Sequence, residues 1–247
     1  MSSLVPLPQS LVPVLEPYFP TDEKHHQTNR PFVTLTYAQS IDARIAAAPG
    51  TQTKISHQET KTMTHYIRSR HQAIMVGIGT VLADDPKLNC RYPGALESPR
   101  PIVLDPHGKW EYHTSQLQTV CENGLGLAPY IVVDSNTTIS EKDREVVLQQ
   151  GGLIVKIPII GVSVQSVWTS LFEELVRLNI KSIMIEGGAT IINDLLMHTE
   201  FVDSLIITIG PVFLGKSGVE VSPSASVNFK NVKWWTGVQD SVMCATP

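Results

Sequence analysis

Cysteine is scarce in this chain. The three present, Cys90, Cys121 and Cys244, are dispersed, odd in number and without C-x-x-C spacing. That excludes a disulfide framework and a thiolate zinc site, and reads as reduced thiols of an intracellular protein. No apolar run approaches the ~20 residues that a membrane span needs. Basic charge is also short, with 19 Lys and Arg against 23 Asp and Glu, a net charge of −4. Neither nucleic acid nor an anionic membrane is therefore an expected partner. No Lys or Arg precedes Lys24, so neither a signal peptide nor a mitochondrial presequence fits, and the expected compartment is cytoplasmic, with the nucleus left open. One catalytic signature is missing: an H-x-E paired with P-C-x-x-C, as zinc deaminases carry.

What remains is an ordinary globular composition, 42% hydrophobic and 17% charged over 247 residues, enough to bury a substantial core. Residues 1–30 carry Pro6, Pro8, Pro13, Pro17 and Pro20 and end in the polar run Thr21 to Arg30. They read as an extended or partly helical arm on the surface, against a partner subunit, ahead of a single domain over 31–247. Apolar strand patterns recur at Phe32–Tyr37, Ala73–Val76, Ile102–Asp105, Tyr130–Asp134, Leu153–Val155, Ser182–Ile185 and Ser204–Ile209. Between them lie helix patterns at Ser56–Arg70, Ser140–Gln150, Val167–Leu178 and Ile191–Met197. Ser56 with Glu59 three residues on reads as a capping box. Ala38 to Thr53 and Pro106 to Ala128 read as connections, and two further strands are expected near 227–235 and 238–243. Alternation of this kind predicts an α/β fold with a largely parallel sheet and antiparallel strands at the C-terminal edge. Trp234 and Trp235 fit either an interface or the core.

The chain is organised around Lys181 to Leu196. A buried strand pattern runs into Glu186-Gly187-Gly188-Ala189-Thr190 and then a helix pattern. A glycine turn feeding a helix leaves backbone N–H groups pointing outward, and the helix dipole adds positive charge there, which makes a seat for phosphate. The competing reading is an ordinary turn with Thr190 as helix cap. Ligands of α/β sheets bind at the carboxyl ends of strands, which brings three loops together: Gly77–Arg91, Gly161–Val162 and Glu186–Thr190. Gly77 and Gly79 fail as a dinucleotide fingerprint because Leu82 stands where the third glycine belongs. Thr80 and Asp84, four apart, suit a ribose or a carboxamide; Thr80 as a cap and Asp84-Asp85-Pro86 as a turn are the alternatives. Arg68 and Arg70 close a helix, where the dipole alone favours cations. Arg68, Arg91 and Lys54 near one cleft would form a clamp for a sugar phosphate. Glu186 follows an apolar strand and needs a ligand or partner. Asp42 and His57 default to structural roles.

Four stretches occur together in one order: Ser40-Ile41-Asp42-Ala43-Arg44-Ile45-Ala46; Gly79-Thr80-Val81-Leu82 with Asp84-Asp85-Pro86-Lys87-Leu88-Asn89-Cys90-Arg91; Glu186 to Thr190; and Gly210-Pro211-Val212-Phe213-Leu214-Gly215. In these the chain resembles the riboflavin-biosynthesis reductases over about residues 31–245, and its arm and length resemble the stand-alone fungal members. The resemblance implies a dihydrofolate-reductase-like fold, NADPH as cofactor, a homodimer, and hydride reduction of a phosphorylated ribosylamino-pyrimidine to its ribitylamino form. By family position Thr80 and Asp84 meet the nicotinamide side, Gly187, Gly188, Ala189 and Thr190 seat the diphosphate, and Val162 lines the cofactor. Glu186 lies at both cofactor and substrate; Arg68, Leu88 and Arg91 fall on the substrate, and Lys54 stands where many bacterial members carry Trp. Asp84 and Glu186 are the expected catalytic carboxylates. Ala43 departs from the usual Gly of S-x-D-G. A dihydrofolate or pteridine reductase, and a non-catalytic NADPH-binding protein, are the competing expectations.

Overall fold

A computed structural model describes residues 4–21 and 29–247; most of the polar run Thr21 to Arg30 falls outside them. Eleven strands form among these residues: β1 Phe32–Gln39, β2 Arg44–Ala46, β3 Ala73–Gly77, β4 Arg100–Leu104, β5 Tyr130–Asp134, β6 Leu153–Ile157, β7 Ser182–Ile185, β8 Ser204–Ile209, β9 Val219–Glu220, β10 Lys230–Thr236 and β11 Ser241–Thr246. The helices are α1 Val12–Leu15, α2 Gln58–Ser69, α3 Ile78–Asp84, α4 Gln116–Glu122, α5 Glu141–Gln149, α6 Val164–Arg177 and α7 Ala189–Met197. Nine strands make one sheet in the order β10-β11-β8-β1-β7-β3-β4-β5-β6. Pairing is parallel from β8 through to β6, and β11 and β10 add antiparallel edges beyond β8. This is the α/β class and sheet pattern expected from the sequence.

The inner strands β3 and β7 are apolar along almost their whole length because both faces of the sheet are covered there. Successive residues point to opposite faces. Val33, Leu35, Met75, Ile183 and Ile185 pack with Trp168, Leu171 and Leu175 of α6 and Ile191, Ile192 and Leu195 of α7. Ile74, Val76, Met184 and Ile206 face Met63 and Ile67 of α2 on the other side. The period of α6 is as expected, with its start at Val164, where the Ser163 hydroxyl accepts from Ser166 N.

Several expectations need correction. The arm is not a surface strap: Leu7, Leu11, Leu15, Tyr18 and Phe19 are buried with Met63, Ile67, Trp235, Val242 and Cys244. Each fully buried leucine removes enough apolar surface to contribute roughly 1.5–3 kcal/mol, which outweighs the extended habit of the prolines. Trp235 is core and donates through Nε1 to Ser10 Oγ at 3.0 Å, whereas Trp234 is exposed. The 106–128 connection contains α4, started by a Ser115 cap on Gln118 N. The 38–53 loop contains β2, which pairs with β9 and carries the ion pair Arg44–Glu220 at 2.6 Å. The capping box does not form: α2 begins at Gln58, after His57. Nor is Thr190 a cap; α7 starts two residues earlier than expected, at Ala189 after Gly188.

The turn between β1 and β2 explains one departure from the family pattern. Asp42 accepts from Ser40 Oγ at 2.5 Å, Gly215 N at 2.7 Å and Leu214 N at 3.0 Å. The Ser40 hydroxyl and these backbone amides hold its carboxyl down to about 2, so it stays charged and ties the turn to the 210–215 loop. Ala43 has φ 55°, in the left-handed region where a Cβ costs about 1–2 kcal/mol and glycine costs nothing. Replacing it, Ala43→Gly, relieves that strain against a smaller gain in unfolded-chain entropy. The expected outcome is a melting temperature higher by roughly 1–3 °C; a fall would show that Ala43 makes packing contacts worth more than its strain.

Candidate active site

A cavity of about 780 Å³ opens at the carboxyl ends of the parallel strands. β1 contributes Thr36 and Tyr37, β3 ends in Gly77, β4 in Leu104, β7 leads to Glu186, and β8 supplies Thr208. The volume lies within the range of small-molecule sites. Of the residues expected at a ligand site, Thr80, Asp84, Glu186, Gly187, Gly188, Ala189, Thr190 and Lys54 all line it. Arg68 reaches the cavity edge through Glu186. Leu88, Arg91 and Val162 are not among its lining residues. Leu88 is buried in the core beside α2 at φ 50°, and Val162 is exposed after β6. Its loop is held by Asp134, whose Oδ2 accepts from Ile159 N and Ile160 N, both at 2.9 Å.

The two turns that frame the cavity approach Ile191. A Cβ on Gly187 would lie 2.6 Å from Ile191 Cγ2, and one on Gly77 would lie 3.0 Å from Ile191 Cδ1. Gly187 is therefore needed for packing alone, a reason that the diphosphate reading of it did not include, whereas a Cβ on Gly77 would ask only a small shift of the Ile191 side-chain end. Gly188 is the N-cap of α7 and approaches Thr80, whose Oγ1 would be 3.3 Å from an added Cβ. Neither α3, which starts after Gly77, nor α7 has a side-chain cap, whereas α4, α5 and α6 are closed by Ser115, Ser140 and Ser163. The first intrahelical bond of α7 runs from Ile192 N to Gly188 O. The N–H groups of its first turn are thus left for an anion at the cavity.

The charges divide into one engaged pair and one lone acid. Arg68 grips Glu186 with Nη2 at 2.9 and 3.1 Å from the two carboxylate oxygens, and donates from Nη1 to Asn89 O at 3.0 Å. Arg91 lies against His65, with Nη2 2.9 Å from His65 Nε2. Burial first, then the cations Arg68, Arg91 and Lys61, push the imidazole down to about 3, so it is neutral at working pH and is no acid–base group there. Asp84 has neither a hydrogen bond nor an ion pair among the described residues, and burial raises its pKa. Lys54 is the cation that lines the cavity. Ser56, Tyr37 and Thr208 are lining residues that sequence reasoning did not single out as ligand groups; the signal at Ser56 was taken up by its resemblance to a cap.

A model of the RibD C-terminal domain matches residues 31–243. The chain belongs to the RibD C-terminal domain family. A 2,5-diamino-6-ribosylamino-4(3H)-pyrimidinone 5′-phosphate reductase from Debaryomyces hansenii is 60% identical over 247 residues, covering 98% of each chain. The reductase of that name from Saccharomyces cerevisiae is 47% identical over 246 residues, again with 98% of each covered. The structure of a Saccharomyces cerevisiae riboflavin biosynthesis reductase superposes with a TM-score of 0.81 at 44% identity, covering 96% of this chain and 99% of that one. A RibD from Acinetobacter baumannii, 22% identical with a TM-score of 0.69, shares the fold, and the chain spans 60% of its length. Within this family the largely parallel α/β sheet with antiparallel C-terminal strands expected of the chain is the one it adopts.

Asp84 gives the cavity a measurable signature. Its folded form holds a proton more tightly than the ordinary value of 3.8, so the folded state binds more protons than the unfolded state just above that pH. Stability is therefore lost as pH rises through that window, and the cost is fully present at neutral pH. Asp84→Asn removes it: the variant is expected to melt above the parent at neutral pH, with the gap closing towards pH 3.8. Equal melting temperatures at neutral pH would mean that the carboxylate is as well solvated as in the unfolded chain.

Proposed function

We propose that the protein is an oxidoreductase of riboflavin biosynthesis that uses NADPH to reduce the ribosylamino group of 2,5-diamino-6-ribosylamino-4(3H)-pyrimidinone 5′-phosphate to ribitylamino, the substrate in the name of its relatives. The carrying observation is one cavity with an uncapped glycine-started helix on one side and the unpartnered Asp84 on the other. The first-turn N–H groups of Ala189 and Thr190 suit a diphosphate, and Gly188 leaves room for it beside Thr80. These residues fit NADPH, which when bound supplies a hydride to sugar C1′.

The chain's own work is placement and charge. Ring opening breaks the C1′–O4′ bond as the amine nitrogen forms a cationic imine, and O4′ takes up a proton to become a hydroxyl; C1′ of that open form is the carbon to be reduced. Asp84 has no side-chain hydrogen bond or ion pair among the described residues, so its carboxylate is free to face the cationic imine or to carry a proton. Glu186 is bound to Arg68, which fits a positioned acceptor for substrate or cofactor hydroxyls rather than a mobile acid. Lys54 is the cavity cation for the 5′-phosphate; Arg68 is engaged by Glu186 and Arg91 lies against His65. β1, β8 and residues between Ile45 and Ser56 wall the site. The reading includes a cytoplasmic homodimer. It is supported by the edge strand β10, which leaves Val232 and Trp234 exposed, and sizing that gave a monomer at micromolar concentration would remove the dimer.

Loss of reduced-nicotinamide absorbance tests the reading, with the pyrimidine phosphate, its dephosphorylated form and dihydrofolate in parallel. Turnover is expected with the phosphorylated pyrimidine alone, faster with NADPH than with NADH. Asp84→Asn is expected to lower kcat about 100-fold, the scale of a lost proton-transfer or charge-stabilising group. Oxidation with dihydrofolate instead would move the protein to a pteridine reductase, and tight NADPH binding without turnover of either would make it a non-catalytic binder.

A further inference from the structure

The start of α2 is built by residues from the far end of the chain. Asp240, buried in the turn between β10 and β11, accepts at Oδ2 from His57 N at 2.6 Å and from the Thr60 hydroxyl. In return Glu59 Oε1 accepts from Val238 N at 2.6 Å. Accepting the N–H of the cap residue is the task that a capping box gives to a side chain three residues inside the helix. Here Asp240 performs it from 183 residues away. Glu59, the local candidate, is spent on the hairpin turn. The helix consequently begins after His57, and Ser56, which sequence alone makes the cap, lies outside it.

Ser56 instead lines the cavity, two residues from Lys54. Its hydroxyl makes no hydrogen bond among the described residues. The segment is wedged from the other side as well: a Cβ on Gly210 would meet both Cγ2 and O of Ile55 at 2.7 Å. A serine hydroxyl at a helix start ordinarily binds the helix backbone; this one is held away from it, at a site wall, by an exchange of carboxylate bonds with a distant turn. We propose that Ser56 is a ligand-binding hydroxyl that donates to an oxygen of the phosphorylated sugar of the substrate, and that Asp240 is the positioning residue that keeps it free to do so. The inference rests on the proposed substrate.

Four variants test it: Ser56→Ala, Asp240→Ala, Asp240→Asn and the double Ser56→Ala/Asp240→Ala. Ser56→Ala is expected to raise KM for the pyrimidine phosphate about tenfold, the scale of one hydrogen bond to a charged group. Its kcat, its KM for NADPH and its melting temperature stay at parental values. Asp240→Ala gives the same rise in KM because Ser56 returns to cap α2, and Asp240→Asn, which keeps an acceptor oxygen, restores it. In the Asp240→Ala background the second change, Ser56→Ala, no longer moves KM but lowers the melting temperature by about 2–4 °C, as loss of a cap does. An unmoved KM in Ser56→Ala overturns the inference, as does a fall of several degrees in that single variant, which would make Ser56 a structural cap. If the parent protein fails to turn over the pyrimidine phosphate, the substrate reading falls, and the ligand half of this inference falls with it. Normal parental turnover with an unmoved KM in Ser56→Ala sinks this inference alone.

Discussion

One wall of the cavity depends on a single side chain, Ile191, packed under the turn that follows β7. Its Cγ2 and Cβ stand 2.6 and 2.7 Å from where Gly187 would carry a Cβ, so this turn makes its close approach to α7 only because Gly187 has no side chain. Next to it Gly188 stands against Thr80, and the starts of α3 and α7 lie at the same opening. Sterics of this kind are stiff, since an interior packed at crystal density has no slack to absorb a methyl group. The polar geometry of the site rests on an apolar contact.

Around that contact the charges are sorted by what the protein itself neutralises. Glu186 and Arg68 satisfy each other at the cavity rim. His65 is held neutral between burial and cations, and Asp42 is consumed by three hydrogen bonds in a turn. Asp84 is left in the cavity without a side-chain hydrogen bond or ion pair among the described residues, at a cost in stability. Sites commonly keep such a group because the ligand, absent from the folding equilibrium, supplies what is missing.

The sequence carried the architecture well where the signal was a run of residues. Ser182 to Ile185 reads as a buried strand because both faces of the sheet are covered, and α6 reads from a 3.6-residue period that its burial repeats. The glycine turn after Glu186 was legible as a cavity feature because uncapped N–H groups follow from the residue types. What failed were local signals overridden from afar. Ser56 and Glu59 have the spacing of a capping box, and nothing near them indicates that Asp240 will take the bond. Prolines in the arm suggested an exposed strap, whereas Leu11 and Leu15 carry the apolar surface that decides its place. The role of Ile191 was equally hidden, since its spacing marks it only as one more apolar residue on a helix face.

The bond from His57 N to Asp240 joins one wall of the cavity to the last hairpin of the chain. That hairpin also supplies Trp235, Val242 and Cys244 to the core shared by α2 and the N-terminal arm. The segment carrying Lys54, Ile55 and Ser56 is thus moored to the same elements that bury the two ends of the chain. A disturbance at either terminus bears on a wall of the cavity through this mooring, although neither terminus lines it.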